Sequence, residues 1–304
     1  MSSIGIGIPV YNDSILIDYL LDSIDIYTDR KLFKITVLDD GSAKDNKKSV
    51  KKICKNHDVD FIYHDKNLGV PKSWNDLVKY LNTDYIILLN NDIVVWDKWF
   101  ESMKFFLENN PNIGTVSLPI VIINTEDVNN IVSGIRANPN KRCIEILEPC
   151  TRKIRKGVFN LPELGPPIRA VWPIGCIFGF SRKMYDTVNG FNEAYHSFYE
   201  EVEFGINLYQ KGYPSIILPG PHIYHVWGAT FQINSQISGE EIMDNSRKIF
   251  ISKYGTDYIE AFKMLNHNFE TNVSYLENIE NENNTKKNVI LCDTHFIDWC
   301  KQWC

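Results

Sequence analysis

Short apolar runs alternate with amphipathic stretches through the first third of the chain. Residues 4–10, 33–38, 59–63 and 85–89 are each rich in Ile, Val, Leu and Phe, and each gives way to polar residues. Runs of that length, bounded by turn residues, predict buried strands. Between them, residues 14–27 place Ile15, Ile17, Leu20, Leu21 and Ile24 at helical spacing. Residues 45–56 predict a polar helix. Pro71 predicts the first turn of another that runs to Tyr80, where its missing N–H leaves no bond unmade. Residues 97–108 predict a helix capped by Asp97 and stopped before Pro111, and residues 113–118 a fifth strand. Such alternation predicts an α/β domain whose mostly parallel, twisted sheet is flanked by helices.

The pattern then loosens. Residues 119–170 mix β-like pieces (119–123 and 143–147) with Asn, Pro, Lys and Arg. They read equally as an excursion closing over a site and as a plain insertion. Residues 172–180 are apolar with two glycines. A helix over 197–211 ends at Gly212, with Ser197 and Glu200 forming a capping box at its start. Short strands follow at 215–218 and 222–226, helices at 239–254 and 257–265, and an Asn/Glu-rich linker at 266–288. This divides the chain into an α/β half (1–118), a second half of the same domain (119–235) and a small helical C-terminal extension with its tail (236–304). The tail carries Cys292, His295, Cys300 and Cys304. These are zinc-ligand types in an unusual order, and a small amphipathic helix packing Phe296, Ile297, Trp299 and Trp303 is the preferred reading.

Composition narrows the partners. The 304 residues are 44% hydrophobic and 23% charged, with formal net charge -6, as in ordinary globular proteins. No basic run or RNA-binding signature points to nucleic acid, and Lys47, Lys48, Lys51 and Lys52 read as a solvated helix face. Seven scattered cysteines suit free thiols in a reducing compartment. No signal peptide is expected from the first residues, and no apolar run approaches the ~20 residues of a membrane span. The expectation is a cytoplasmic protein, with room for a peripheral membrane contact.

Chemistry gathers where the strands end. Ligands of open α/β sheets bind outside the carboxyl ends of the strands. The first strand ends in Pro9-Val-Tyr-Asn12, where Tyr11 suits either a nucleobase stack or the core. The second ends in Asp39-Asp-Gly-Ser42, a pair of carboxylates or an ordinary Asp-Gly turn. Lys66-Asn-Leu-Gly-Val70 follows the third, with Asn67 and a glycine that permits close approach of backbone to ligand or simply makes a strand–helix turn. The fourth delivers Asn90-Asn-Asp92, a candidate ligand set for a hard divalent cation shared with phosphates.

With Gly190-Phe-Asn-Glu193, Glu200-Glu-Val-Glu203 and His225-x-x-Gly228, these motifs resemble the inverting glycosyltransferases of family 2, from Ile4 to about Phe231. The resemblance implies the GT-A nucleotide-sugar-transferase fold and a donor pocket lined by Pro9, Tyr11, Asn12, Asp40, Asn67, Asn90 and Asn91. Pro9, Tyr11 and Asp40 would surround uracil or thymine, and Asn91 would approach the ribose. Asp92 takes the last position of an Asp-x-Asp motif and, with His225, would hold Mn²⁺ or Mg²⁺; Asn90 and Asn91 stand where acids are usual. Glu201 aligns with the general base, Glu203 is its backup or else part of a solvated helix face, and Glu200, Trp172, Gly175, Cys176 and Trp227 would face sugar and acceptor, with Trp172 suiting a sugar-ring stack or the core equally. The implied reaction moves a sugar from a nucleotide-sugar, with UDP favoured and dTDP-rhamnose an alternative, to a hydroxyl of a glycan, glycolipid or glycoprotein. The competing expectation is a catalytically degenerate binding protein on the same fold. A nucleotidyltransferase would need a Gly-rich, basic phosphate loop after the first strand, which Pro9-Val-Tyr-Asn12 is not.

Overall fold

The computed structural model describes residues 2–123, 167–218, 220–221, 223–226, 229 and 238–257. The expected elements at 143–147 and 258–265, the linker and the Cys/Trp-rich tail lie outside them, as do Trp227 and Gly228. Strands β1 (Ile4–Val10), β2 (Lys34–Asp40), β3 (Asp60–His64) and β4 (Tyr85–Leu89) form the parallel run β3-β2-β1-β4. Helices α1 (Ser14–Tyr27), α2 (Lys44–Asn56) and α3 (Val70–Leu81) connect them. β1 shows why both faces are covered. Ile4, Ile6 and Ile8 enter one core with Ile17, Leu20 and Ile24 of α1. On the opposite face Gly7 leaves room for α3, since an added Cβ would lie 3.2 Å from Leu77.

Beyond β4 the sheet is mixed. Short strands β5 (Ile93–Val94), β6 (Thr115–Ser117), β7 (Ile120–Ile123) and β8 (Ile168–Ala170) precede β9 (Ile177–Ser181). β9 runs antiparallel between β4 and β6, and β10 (Ser215–Ile217) and β8 complete an eight-stranded order β3-β2-β1-β4-β9-β6-β10-β8. A run buried on both faces has the same apolar pattern in either direction, so periodicity alone does not set the direction of β9. A second sheet, β5-β11-β7, uses β11 (Ile223–Val226), antiparallel to β5 and parallel to β7. Helices α4 (Trp99–Asn109), α5 (Arg182–Val188), α6 (Glu200–Tyr209) and α7 (Gly239–Tyr254) pack outside the sheets. Trp74 of α3, Phe178 and Phe180 of β9, and Phe204 of α6 share the second core.

Two expected caps are corrected. α4 starts at Trp99, and Lys98, in the left-handed region, precedes it without a side-chain cap, so Asp97 is not its N-cap. α6 starts at Glu200, because Phe198 and Tyr199 both take positive φ and separate Ser197 from the helix. Ser197 and Glu200 therefore form no capping box. Among the described residues no helix is long and apolar enough to cross a membrane.

Candidate active site

The loops after β1, β2 and β3 are stitched into one rim. The Asn12 N–H donates to Ser42 Oγ (2.8 Å), and Asn12 Oδ1 accepts from the Ala43 N–H (2.7 Å). Asp40 accepts from the Leu68 and Gly69 N–H groups, both at 2.9 Å, and lies 2.7 Å from His64 Nδ1. The other His64 nitrogen lies 3.0 Å from Asp76. Gly41, at φ +76°, lets the β2 loop meet the β3 loop; a Cβ there would stand 2.1 Å from the Lys66 carbonyl carbon. Asn67 accepts from the Gly69 N–H. Pro9 and Tyr11 lie half-buried at the end of β1. The structure thus brings Asn12, Asp40 and Asn67 together and gives Asp40 a loop-holding task. Asp39 is fully buried, and burial raises its carboxyl above the usual range.

The loop after β4 behaves differently. Asn91 Nδ2 donates to Asp13 Oδ2 (3.0 Å), while Asp13 Oδ1 caps α1 through the Ile15 and Leu16 N–H groups. This gives a reason for asparagine at 91: an aspartate there would set a second carboxylate against Asp13. Burial raises the Asp13 carboxyl, and nearby Asp92 adds to the rise. Asp92 is 6% exposed. Its carbonyl accepts from the Val226 N–H (2.8 Å), and pairing of β5 with β11 places His225 opposite Ile93. Asp92 Oδ1 lies 3.2 Å from His225 Nε2, off the line of a hydrogen bond, and no donor among the described residues is aligned on it. Burial opposes a charge on His225, but Cys176 and Asp92 outweigh it and hold the imidazole well above its ordinary value. As it stands the pair is an imidazolium against a carboxylate; release of that proton would free His225 Nε2 and Asp92 Oδ1 together for a divalent cation such as Mn²⁺. Among the described residues no His/Cys/Asp/Glu group of three surrounds it, so other positions would fall to phosphate and water oxygens.

The third part reaches the same edge from β9 and α6. The Asn90 N–H donates to the Cys176 carbonyl (2.9 Å). A Cβ on neighbouring Gly175 would stand 2.8 Å from Glu201 Oε1. Contacts therefore run from Asp92 through His225, Cys176 and Gly175 to Glu201. Glu201 is half-buried, and burial pushes its carboxyl up to about 7 against the pull of backbone N–H groups. Glu200 is 4% exposed, and its Oε2 has no hydrogen-bond partner among the described residues. Burial, then the neighbouring Glu201, raises it well above the carboxylate range.

Two expected residues have other occupations. Glu203 is buried, neither on a solvated face nor open to substrate. It accepts from Tyr195 O–H (2.6 Å), Lys253 Nζ (2.6 Å) and Asn192 Nδ2 (3.2 Å). Trp172 is 9% exposed and packs with Tyr195, Tyr199, Ile206 and Phe250, as the core reading of this residue expects. Asp13 and His64 were not anticipated. Asp13 had a readable signal, an acid just before an amphipathic helix; His64 had none, since it meets Asp40 only through pairing of β2 with β3.

The chain is similar in fold to several solved structures. They include GalNAc-T7 with UDP, GalNAc and Mn²⁺ (TM-score 0.56, 16% identity, 75% of this chain and 44% of that one). The mannosyltransferase PcManGT from Pyrobaculum calidifontis, in complex with GDP-Man and Mn²⁺, has TM-score 0.53, 14% identity and coverages of 75% and 58%. S. aureus TarS 1-349 has TM-score 0.52, 14% identity and coverages of 77% and 62%. At such identities the likeness is one of fold, and this chain spans less than two thirds of each. No curated protein sequence gives a significant match. The family model "Glycosyl transferase family 2" matches residues 5–186, more than half of the chain, and with the strand-end motifs now on one rim, the chain belongs to glycosyl transferase family 2.

Proposed function

We propose that this transferase moves a sugar from a UDP-sugar, with dTDP-rhamnose the alternative donor, to a hydroxyl of a glycan, glycolipid or glycoprotein, with inversion. The observation that carries this reading is the contact path Asp92–His225–Cys176–Gly175–Glu201, which joins a cation-type pair to a carboxylate raised to about 7. Asp92 and His225 would hold Mn²⁺ or Mg²⁺, which when bound offsets negative charge on the departing diphosphate. Asn12, Asp40 and Asn67 shape the wall for the base and ribose, beside Pro9 and Tyr11. Glu201, ionised above about pH 7, takes the proton of the acceptor hydroxyl as that oxygen attacks the anomeric carbon. The bond to the diphosphate breaks on the opposite face. A base with this affinity for protons is matched to the task near pH 7. The buried free thiols Cys54 and Cys176 suit a reducing cytoplasm.

The test is thermal unfolding against a panel of nucleotide-sugars with and without Mn²⁺, beside Asp92→Ala. A donor at a hundred times its Kd stabilises the native state by about 2.7 kcal/mol. The expected result is a shift with one UDP- or dTDP-sugar that needs Mn²⁺ and is lost in Asp92→Ala. A donor shift indifferent to both would overturn the cation assignment. Binding without any transfer or donor hydrolysis would favour the degenerate binding protein. NMR of the product's anomeric proton decides between inversion and retention.

A further inference from the structure

The helix that carries Glu201 starts from a strained turn. Phe198 and Tyr199 hold φ of 67° and 70°. Left-handed backbone at bulky residues is a genuine outlier and persists only where the surroundings over-determine it. Among the described residues no side chain caps this helix start. The surroundings come from α7, which lies beyond the residues the family model covers. Ser246 Oγ donates to the Ser197 carbonyl at 2.7 Å. Fully buried Phe250 sets its ring 5.2 Å from that of Tyr199. Tyr199 O–H donates to Asp257 Oδ1 (3.0 Å), and Arg247 Nε donates to the other oxygen of Asp257 (2.9 Å). Further along α6, Lys253 Nζ reaches buried Glu203. Contacts from α7 and Asp257 therefore grip the turn and α6 on both sides of Glu201.

We propose that α7 is a clasp on the catalytic turn, with Ser246 and Lys253 as positioning residues that hold the 198–199 turn and so fix where Glu201 points. This rests on the reading of Glu201 as the general base. Nothing in α7 needs to touch substrate. Its influence passes through the backbone of residues 197–203, and a misplacement of about 1 Å at a reacting group lowers a rate on the order of a hundredfold. The clasp makes the C-terminal helix part of the catalytic unit.

The test uses the full chain. Transfer kinetics are measured for Lys253→Met, Lys253→Arg, Ser246→Ala and the pair replacement Glu203→Gln/Lys253→Met, beside Glu201→Gln. We expect Lys253→Met to lower kcat about tenfold or more with donor KM within about twofold, a partial form of the misplacement effect. Lys253→Arg should restore most of the rate. Ser246→Ala should show the same split more weakly, and hydrogen exchange at residues 197–203 should quicken in both. The pair replacement leaves no unpaired buried carboxylate, so it carries the test if Lys253→Met alone fails to fold. Unchanged kcat in the folded variants overturns the clasp, while an inactive Glu201→Gln would still uphold the base. Parallel loss of kcat and donor affinity also overturns it, because α7 would then act on the donor pocket. A fully active Glu201→Gln removes the base and, with it, the clasp as stated.

Discussion

The donor rim and the base site are built on opposite principles. In the rim, every loop follows its own strand, and side chains answer backbone donors close by: Asn12 with Ala43, Asp40 with Leu68 and Gly69, Asn67 with Gly69. At the base site, Glu201 lies against Gly175, His225 meets a carboxylate 133 residues earlier, and buried oxygens of Asp92 and Glu200 lack aligned donors among the described residues. Buried polar groups left unanswered raise the free energy of the fold. Proteins tolerate them where substrate or an ion supplies the missing partner. In the rim Asp39 Oδ2 alone of the carboxylate oxygens is left unanswered among the described residues, while Asp92 Oδ1 and Glu200 Oε2 both are at the proposed base site; the rim is therefore mainly a scaffold shaped like a pocket, and the proposed base site is the part kept shorter of partners.

The largest effect expected from this contrast is at Glu201. Glu201→Gln keeps the shape and removes the proton acceptor. Turnover should fall on the order of 10²–10⁴-fold, the usual contribution of a placed base, while the donor-dependent thermal shift stays. The wild-type rate should also fall as pH drops below about 7, the value to which burial pushes this carboxyl. Stability should move the other way. The folded state holds the proton up to about 7 and the unfolded chain releases it near 4.3, so the contribution of Glu201 to stability declines as pH rises through that window. Steady-state rates and denaturant melts across pH 4.5–8 (an interval of roughly the two pKa values) check both signs. A Glu201→Gln enzyme of normal turnover would erase the contrast.

Asp40 sharpens the contrast from the other side. Asp40→Ala removes the acceptor for the Leu68 N–H, one acceptor for the Gly69 N–H and the partner of His64 Nδ1. Each buried donor left unanswered costs about 1–3 kcal/mol. A loss of about 2–4 kcal/mol is expected in urea unfolding, together with loss of the donor-dependent shift. If stability is untouched and donor binding alone vanishes, Asp40 is a ligand-reading residue and the rim is no scaffold.

The same contrast explains what could be read in advance. Strands β1 to β4 and helix α1 follow from periodicity, because each apolar stretch packs by its own spacing, and Pro71 marks α3; α1 and α7 begin and end where the pattern puts them, while the order β3-β2-β1-β4 is set by pairing that no spacing carries. The motifs of the rim were legible because each is contiguous in the chain. What was not legible depends on partners far away in sequence. The capping box at Ser197 failed because a pattern of residue types carries no backbone φ, and Phe198 and Tyr199 turn left-handed under contacts from α7. Glu203 looked like a second base because Lys253 and Tyr195 could not be placed beside it from spacing. Trp172 reads as a sugar platform as readily as a core residue for the same reason: its neighbours come from α6, α7 and residues 195–199 before α6.

The smallest effect tests whether the contrast reaches the surface. His57, at the end of α2, lies 2.6 Å from Asp25 and 3.4 Å from Asp18, both on α1. Its hydrogen bond to Asp25 raises its pKa despite partial burial. The unfolded value is near 6.5, so the stabilisation is fully present below that pH and is lost as pH rises through the higher folded value. The carboxylates are about a third exposed, and pairs of that kind contribute less than about 1 kcal/mol. His57→Asn should therefore lower stability slightly at pH 6, by a margin that shrinks by pH 9 (roughly the span over which the imidazole discharges) and in high salt. Neither donor binding nor turnover should change, since the clamp joins α1 to α2 and touches no rim loop. A His57→Asn variant with weakened donor binding would tie that helix pair to the Asn12–Ser42 junction at their N-terminal ends, and the boundary between scaffold and site would have to be drawn wider.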